Sequence, residues 1–216
     1  MTTSTQLPKC WADVQLALDA GIDRIILFGP PGTGKTYAGM NFGEVNRGAF
    51  RVICTDDMTN SDITGHMVLN EKGTFSWVNG KALKAWQGDG KLGGRLVIDE
   101  IDKAGSDVYA TLLNITDSTD SASWTDDLTN VTHNPRPGFS VVMTTNIEQM
   151  EDLPEALKDR FPVAIRINQP HPDGLKRLSP DLRGYAVRMA DAAEQRISLR
   201  SFMAFDELRA KSDEAT

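Results

Sequence analysis

Gly29-Pro30-Pro31-Gly32-Thr33-Gly34-Lys35-Thr36 decides how this chain is read. The apolar run Ile25-Ile26-Leu27-Phe28 precedes it, and a helix-compatible segment opens at Lys35. Strand, glycine-rich loop and helix, in that order, is the setting a phosphate-binding loop requires. Glycines let consecutive backbone N–H groups turn inward as an anion nest, and the helix behind them adds the positive end of its dipole. In such a loop the lysine, here Lys35, reaches the β- and γ-phosphates as a mobile point charge, and the Thr36 hydroxyl is suited to ligate Mg²⁺. A plain Gly/Pro turn has no need of the Lys-Thr ending. Gly29, Pro30, Pro31, Gly32, Thr33, Gly34, Lys35, Thr36 and the adjoining Tyr37 are therefore the expected nucleotide-binding residues.

On the amino side, residues 1–8 are polar and end in Pro8, which predicts a loose arm. Residues 9–20 carry Trp11, Val14, Ala17 and Leu18 at helical spacing, with Gly21 as a stop. On the carboxyl side, near-continuous Val/Ile/Leu runs predict strands over 50–54, 95–98, 139–145 and 163–167, joining the first strand over 24–28. Helices expected after 35 and over 81–87, 106–115 and 154–159 alternate with them. That pattern predicts an α/β fold, a three-layer αβα parallel sheet of five core strands covered on both faces. Residues 67–70 and 74–78 read as a hairpin insert around Glu71-Lys72-Gly73, and 116–138 as loop with a short hairpin over 124–131. Residues 55–65 read as polar turn. Beyond Pro170 the chain turns proline-rich and then amphipathic over 180–193 and 198–211. The expected division is an arm at 1–8, a nucleotide-binding core at 9–169 and a short helical lid at 170–216.

The net charge of −7 weighs against binding nucleic acid through the whole surface. Cys10 and Cys54 lack metal-type spacing and read as reduced thiols, Cys54 buried in a strand. His66, His133 and His171 are scattered, with surface or loop roles expected. No apolar run reaches membrane-span length and no signal-peptide stretch opens the chain, so a cytoplasmic protein with no membrane partner is expected.

Asp99 and Glu100 close a buried apolar strand, at the carboxyl edge where open α/β sheets bind ligands. Beside a phosphate-binding loop, the first acid holds the Mg²⁺ shell, so Thr36 and Asp99 are the expected metal residues. The second is the expected general base on the attacking water. Asp102 reads as structural or interface-forming. Asn146 ends the next strand, where a neutral amide either orients the lytic water or simply forms a turn. Arg160 either pairs with a neighbouring acid or acts in trans as an arginine finger, worth about 10³–10⁵ in rate in other such systems. Arg200 either contacts the γ-phosphate from the lid or is one of several solvated arginines.

Taken in order, 29–36, 96–102, 144–146, Leu153-Pro154-Glu155-Ala156-Leu157-Lys158-Asp159-Arg160-Phe161 and Ser198-Leu199-Arg200 resemble the AAA+ ATPase series of Walker A, Walker B, sensor one, arginine finger and sensor two. Ser61-Asp62-Ile63-Thr64-Gly65, Thr74-Phe75-Ser76-Trp77, Asn79-Gly80-Lys81-Ala82-Leu83 and Pro137-Gly138-Phe139 resemble its MoxR-like and dynein-related branch. The resemblance covers about residues 10–211. It implies ATP and Mg²⁺ as ligands, hydrolysis of ATP, and a homo-oligomeric ring, usually a hexamer, with sites at subunit interfaces. It also implies a protein client or adaptor, often one carrying a von Willebrand factor A domain. The resemblance departs at the lid, which stops within one short helix after Arg200.

Three functions follow as alternatives. The first is a remodeller that grips a partner with aromatics such as Phe75, Trp77 and Trp124, although Phe75 and Trp77 suit hairpin packing equally well. The second is a nucleic-acid motor using the basic tract Lys72, Lys81, Lys84, Lys91 and Arg95, less favoured because no nucleic-acid-binding motif accompanies it. The third is a nucleotide-gated scaffold, against which Lys35, Asp99 and Glu100 argue.

Overall fold

A computed structural model describes residues 7–126, 129–192 and 195–214. The arm expected over 1–8 lies outside the described residues except for Leu7 and Pro8. Behind Pro8, α1 (Lys9–Asp19) buries Cys10, Trp11, Val14 and Ala17 along one stripe. Then come β1 (Arg24–Phe28), α2 (Lys35–Asn41), β2 (Ala49–Ile53), α3 (Asn60–Thr64) and the antiparallel pair β3 (Gly65–Leu69) and β4 (Phe75–Asn79). They are followed by α4 (Lys81–Gln87), β5 (Arg95–Asp99), α5 (Ser106–Ile115) and a small hairpin of β6 (Trp124–Asp126) and β7 (Val131–His133). The chain continues through β8 (Ser140–Thr144), α6 (Glu155–Arg160), β9 (Val163–Arg166), α7 (Pro172–Lys176), α8 (Pro180–Met189) and α9 (Leu199–Glu214).

Five strands form one parallel sheet in the order β2-β5-β8-β1-β9. Successive strand residues face opposite sides, and this alternation builds two separate cores. Ile26, Phe28, Leu96, Ile98, Val141 and Met143 face α4 and α5, meeting Leu83, Trp86 and Leu112. Ile25, Leu27 and Val142 face the other way, meeting Trp11, Val14 and Ala38 of α1 and α2. The result is the expected three-layer αβα fold with five core strands. A third cluster of Leu178, Leu182, Ala186 and Leu199 joins α7, α8 and α9. No helix among the described residues is long and apolar enough to cross a membrane.

Several local expectations need correction. Within the stretch read as polar turn, α3 forms because Thr59 and Asp62 make a reciprocal capping box. In the proline-rich segment, α7 starts on Pro172, a position where the missing N–H is harmless. The last helix is not short: α9 runs 16 residues, the longest among the described residues. Cys54 is buried but lies one residue past the end of β2. His171 does lie in a loop, as the cap of α7, but is buried rather than superficial, with its ring 4.9 Å from that of Trp11 and 4.6 Å from that of Phe42. Arg95 is also buried, donating to the carbonyls of Gly39 and Phe42, so it leaves the surface tract proposed for nucleic acid.

Candidate nucleotide-binding site

Because β1 lies inside the sheet between β8 and β9, the loop that leaves it at Phe28 emerges beside the carboxyl end of β8, with that of β5 one strand further on. Gly29, Gly32 and Gly34 all have positive φ, at 120°, 77° and 107°, a region that costs side-chain-bearing residues energy. A side chain at Gly32 would also place its Cβ 2.7 Å from the Cβ of Ser198, just before α9. Lys35 is buried and turns back into the loop, its Nζ donating to Gly29 O and Pro30 O at 2.8 Å and to Asn146 Oδ1 at 3.1 Å. Burial pushes Lys35 down to about 8, against the pull of Asp99 and Asp102 and with Arg200 adding to the push.

Asp99 closes β5 and is held on both carboxylate oxygens. Thr36 Oγ1 donates to Oδ1 at 2.9 Å and Thr144 Oγ1 donates to the same atom, while Arg51 donates to Oδ2. Burial pushes this carboxyl up, but the hydrogen bonds from Thr144, Arg51 and Thr36 more than offset it and leave it below the usual range. The next residue, Glu100, has φ 58°. A left-handed backbone is uncommon for glutamate and marks a site where the surrounding structure imposes the conformation. Its carboxylate accepts from Lys103 Nζ at 2.7 Å and, at 3.5 Å, from Asn146 Nδ2. Asn146 thus joins Lys35 to Glu100. Asp102 instead takes a hydrogen bond from Thr145 Oγ1 at 2.6 Å, a structural role.

These groups open on a cavity of about 430 Å³. Pro31, Gly32, Thr33, Gly34, Lys35, Thr36 and Tyr37 line it from the loop and α2; Asp99, Glu100 and Asn146 from the strand ends; Arg200 from α9. Gly29 and Pro30 do not line it, and serve by holding Lys35 with their carbonyls. Arg200 has no hydrogen bond or ion pair among the described residues, so its guanidinium is available to a ligand. Arg160 is elsewhere: it donates to Leu113 O and Ala156 O and lies 3.8 Å from Asp117. The Thr36 hydroxyl and the Asp99 carboxylate are hard oxygen donors joined by a 2.9 Å hydrogen bond. Magnesium is commonly held by so few protein ligands, the rest being phosphate and water, so this pair fits it. No cluster of three or more His, Cys, Asp or Glu suits a metal among the described residues.

Arg51, Lys103, His171 and Arg177 escaped the reading of the sequence as site residues, and Thr144 entered it only as part of the stretch 144–146. Arg177 also lines the cavity, as do His171 and Asp173 near the start of α7. The one available signal was Arg51 itself, a charged residue inside an otherwise apolar strand.

A family model described as AAA domain, dynein-related subfamily, matches residues 24–161. A Lon protease of Amoebophilus asiaticus is 28% identical over 148 residues, which cover 67% of this chain and 17% of the protease. Protein CbbQ of Hydrogenophilus thermoluteolus is 26% identical over 153 residues, covering 69% of this chain and 54% of CbbQ. A crystal structure of a candidate ATPase from Cytophaga hutchinsonii aligns with a TM-score of 0.53 at 20% identity, covering 93% of this chain and 58% of that one. The chain therefore spans less than a fifth of that Lon protease and about half of CbbQ.

Proposed function

The chain belongs to the dynein-related subfamily of AAA domains, a family of ATPases, and on that premise we propose that it binds Mg-ATP in the cavity and uses hydrolysis to remodel or activate a partner protein. The loop over 29–36 cradles the phosphates, and Lys35 neutralises their charge. Thr36 and Asp99 hold the magnesium ion, which when bound spreads the negative charge of the β- and γ-phosphates. Glu100 takes the proton of the attacking water, and Asn146 orients that water. Arg200 reaches the γ-phosphate from α9. The three last helices, over 170–216, act as a lid on a core over 9–169.

Arg160 faces away from the cavity of its own chain, so it meets a phosphate only if a second copy brings it there. Such a head-to-tail contact closes into a ring when its rotation divides a full turn, and a hexamer is the form proposed. A protein carrying a von Willebrand factor A domain is the candidate client. Phe75, two-thirds exposed on β4, is the aromatic proposed to touch it.

The observation that carries this reading is the bonded line Lys35–Asn146–Glu100, which puts a phosphate-binding cation and a carboxylate on either side of one amide. Phosphate release and nucleotide binding, measured in parallel, test it. Glu100→Gln is expected to keep ATP affinity while losing turnover by about 10²–10⁴-fold, the usual worth of a general base. Undiminished hydrolysis in that variant would remove Glu100 from its role. Stimulation by DNA rather than by protein would favour the motor reading.

A further inference from the structure

Asp99 has no free acceptor. An ionised carboxylate offers about four lone-pair directions, and four donors occupy them: Thr36 and Thr144 on Oδ1, and Nε and Nη2 of Arg51 on Oδ2. A cation approaching this carboxylate therefore has to remove a donor. Thr144 is buried at 1% exposure and cannot leave. Thr36 belongs with the metal, through its own hydroxyl oxygen. Arg51 differs from both. It stands on the edge strand β2, its side chain is 38% exposed, and it lines the cavity. It also carries the charge that a second cation repels.

We propose that Arg51 is a resident counter-ion to Asp99 that a divalent cation must displace, so that Arg51 sets how much free metal the site requires. The proposal rests on the reading of Thr36 and Asp99 as the metal-binding pair. In the metal-free protein Arg51 spares the fold a buried, unpaired carboxylate, which is costly. Once a divalent ion neutralises Asp99, that duty lapses and the guanidinium is released into the cavity beside Ile53.

Mn²⁺ binding in the presence of ADP, followed by electron paramagnetic resonance, tests this on the full chain. Arg51→Gln is expected to bind Mn²⁺ about tenfold more tightly than wild type, a difference of about 1.4 kcal/mol. Arg51→Lys, which keeps the charge with poorer hydrogen bonding, is expected to gain about threefold. Arg51→Gln is also expected to melt below wild type in EDTA, with the gap narrowing in saturating Mg²⁺ and ADP. Equal or weaker Mn²⁺ affinity in Arg51→Gln overturns the proposal; if that variant does not fold, equal or weaker affinity in Arg51→Lys does so. ADP bound without Mn²⁺ in wild type and variants alike is a different failure, since it overturns the assignment of Thr36 and Asp99 as metal ligands and the proposal with it.

Discussion

Lys35 is charged only while the pH stays below the value to which its burial has lowered it, about 8. Phosphate binding needs the ammonium, so nucleotide affinity is expected to be flat below that pH. Above it, binding has to take up a proton, and affinity should fall by up to about tenfold per pH unit. A fluorescent-nucleotide titration across this range checks it, and calorimetry in buffers of different ionisation enthalpy should register the proton. Stability follows the opposite sign. An unfolded Lys35 keeps its proton to higher pH than the folded one, so its contribution to stability rises with pH between the two values. At this scale, legibility in the sequence depended on locality. Residues 29–36 and the pair Asp99-Glu100 are readable because their chemistry is carried by neighbours in a short string. Arg51 stands out only as a charge within an apolar strand, and its role was not legible because its partner is 48 residues away. Arg95 misled because a charge count over 72–95 cannot tell a solvated arginine from one buried against helix carbonyls.

Among the elements, β1 is fastened at its amino end by a buried arginine. Arg24 Nε donates to Thr116 O at 2.7 Å, and Nη2 donates to Asp117 O, both just beyond α5. Arg24→Met would strand two carbonyls, and a loss of about 2–3 kcal/mol in denaturant unfolding is expected. Nucleotide affinity should not change, because the loop leaves from the opposite end of the strand. The two small hairpins hold each other through Trp77 and Trp124, whose rings stack 5.4 Å apart at 29°. A double-mutant cycle of Trp77→Ala and Trp124→Ala should return a coupling of about 0.5–1.5 kcal/mol. Additive losses would mean that the stack contributes nothing. Strands and longer helices were legible from apolar runs and periodicity, since burial on both faces leaves a strong pattern. The short helices α3 and α7 were not. One is set by an aspartate standing where a capping box usually has Glu or Gln, and the other opens on a proline that reads as a breaker.

For the whole molecule, the test of assembly is whether damage in one copy can be repaired by another. Arg160→Ala subunits keep their own Lys35, and Lys35→Ala subunits keep their own Arg160. Mixing the two is expected to restore part of the ATPase activity that each lacks alone. No recovery at any mixing ratio would place Arg160 outside the reaction. The layered sheet could be read from the order of apolar runs, whereas the seating of the last helices on the loop could not, because it depends on contacts between distant segments. Gly32 and Ser198 are one such pair, with no room between them for even a methyl group. The loop over 29–36 and the root of α9 are therefore packed against each other at Gly32. On the proposed function, any shift of the loop that followed loss of a phosphate would press on the root of α9, so a side chain at position 32 is expected to disturb loop and helix together.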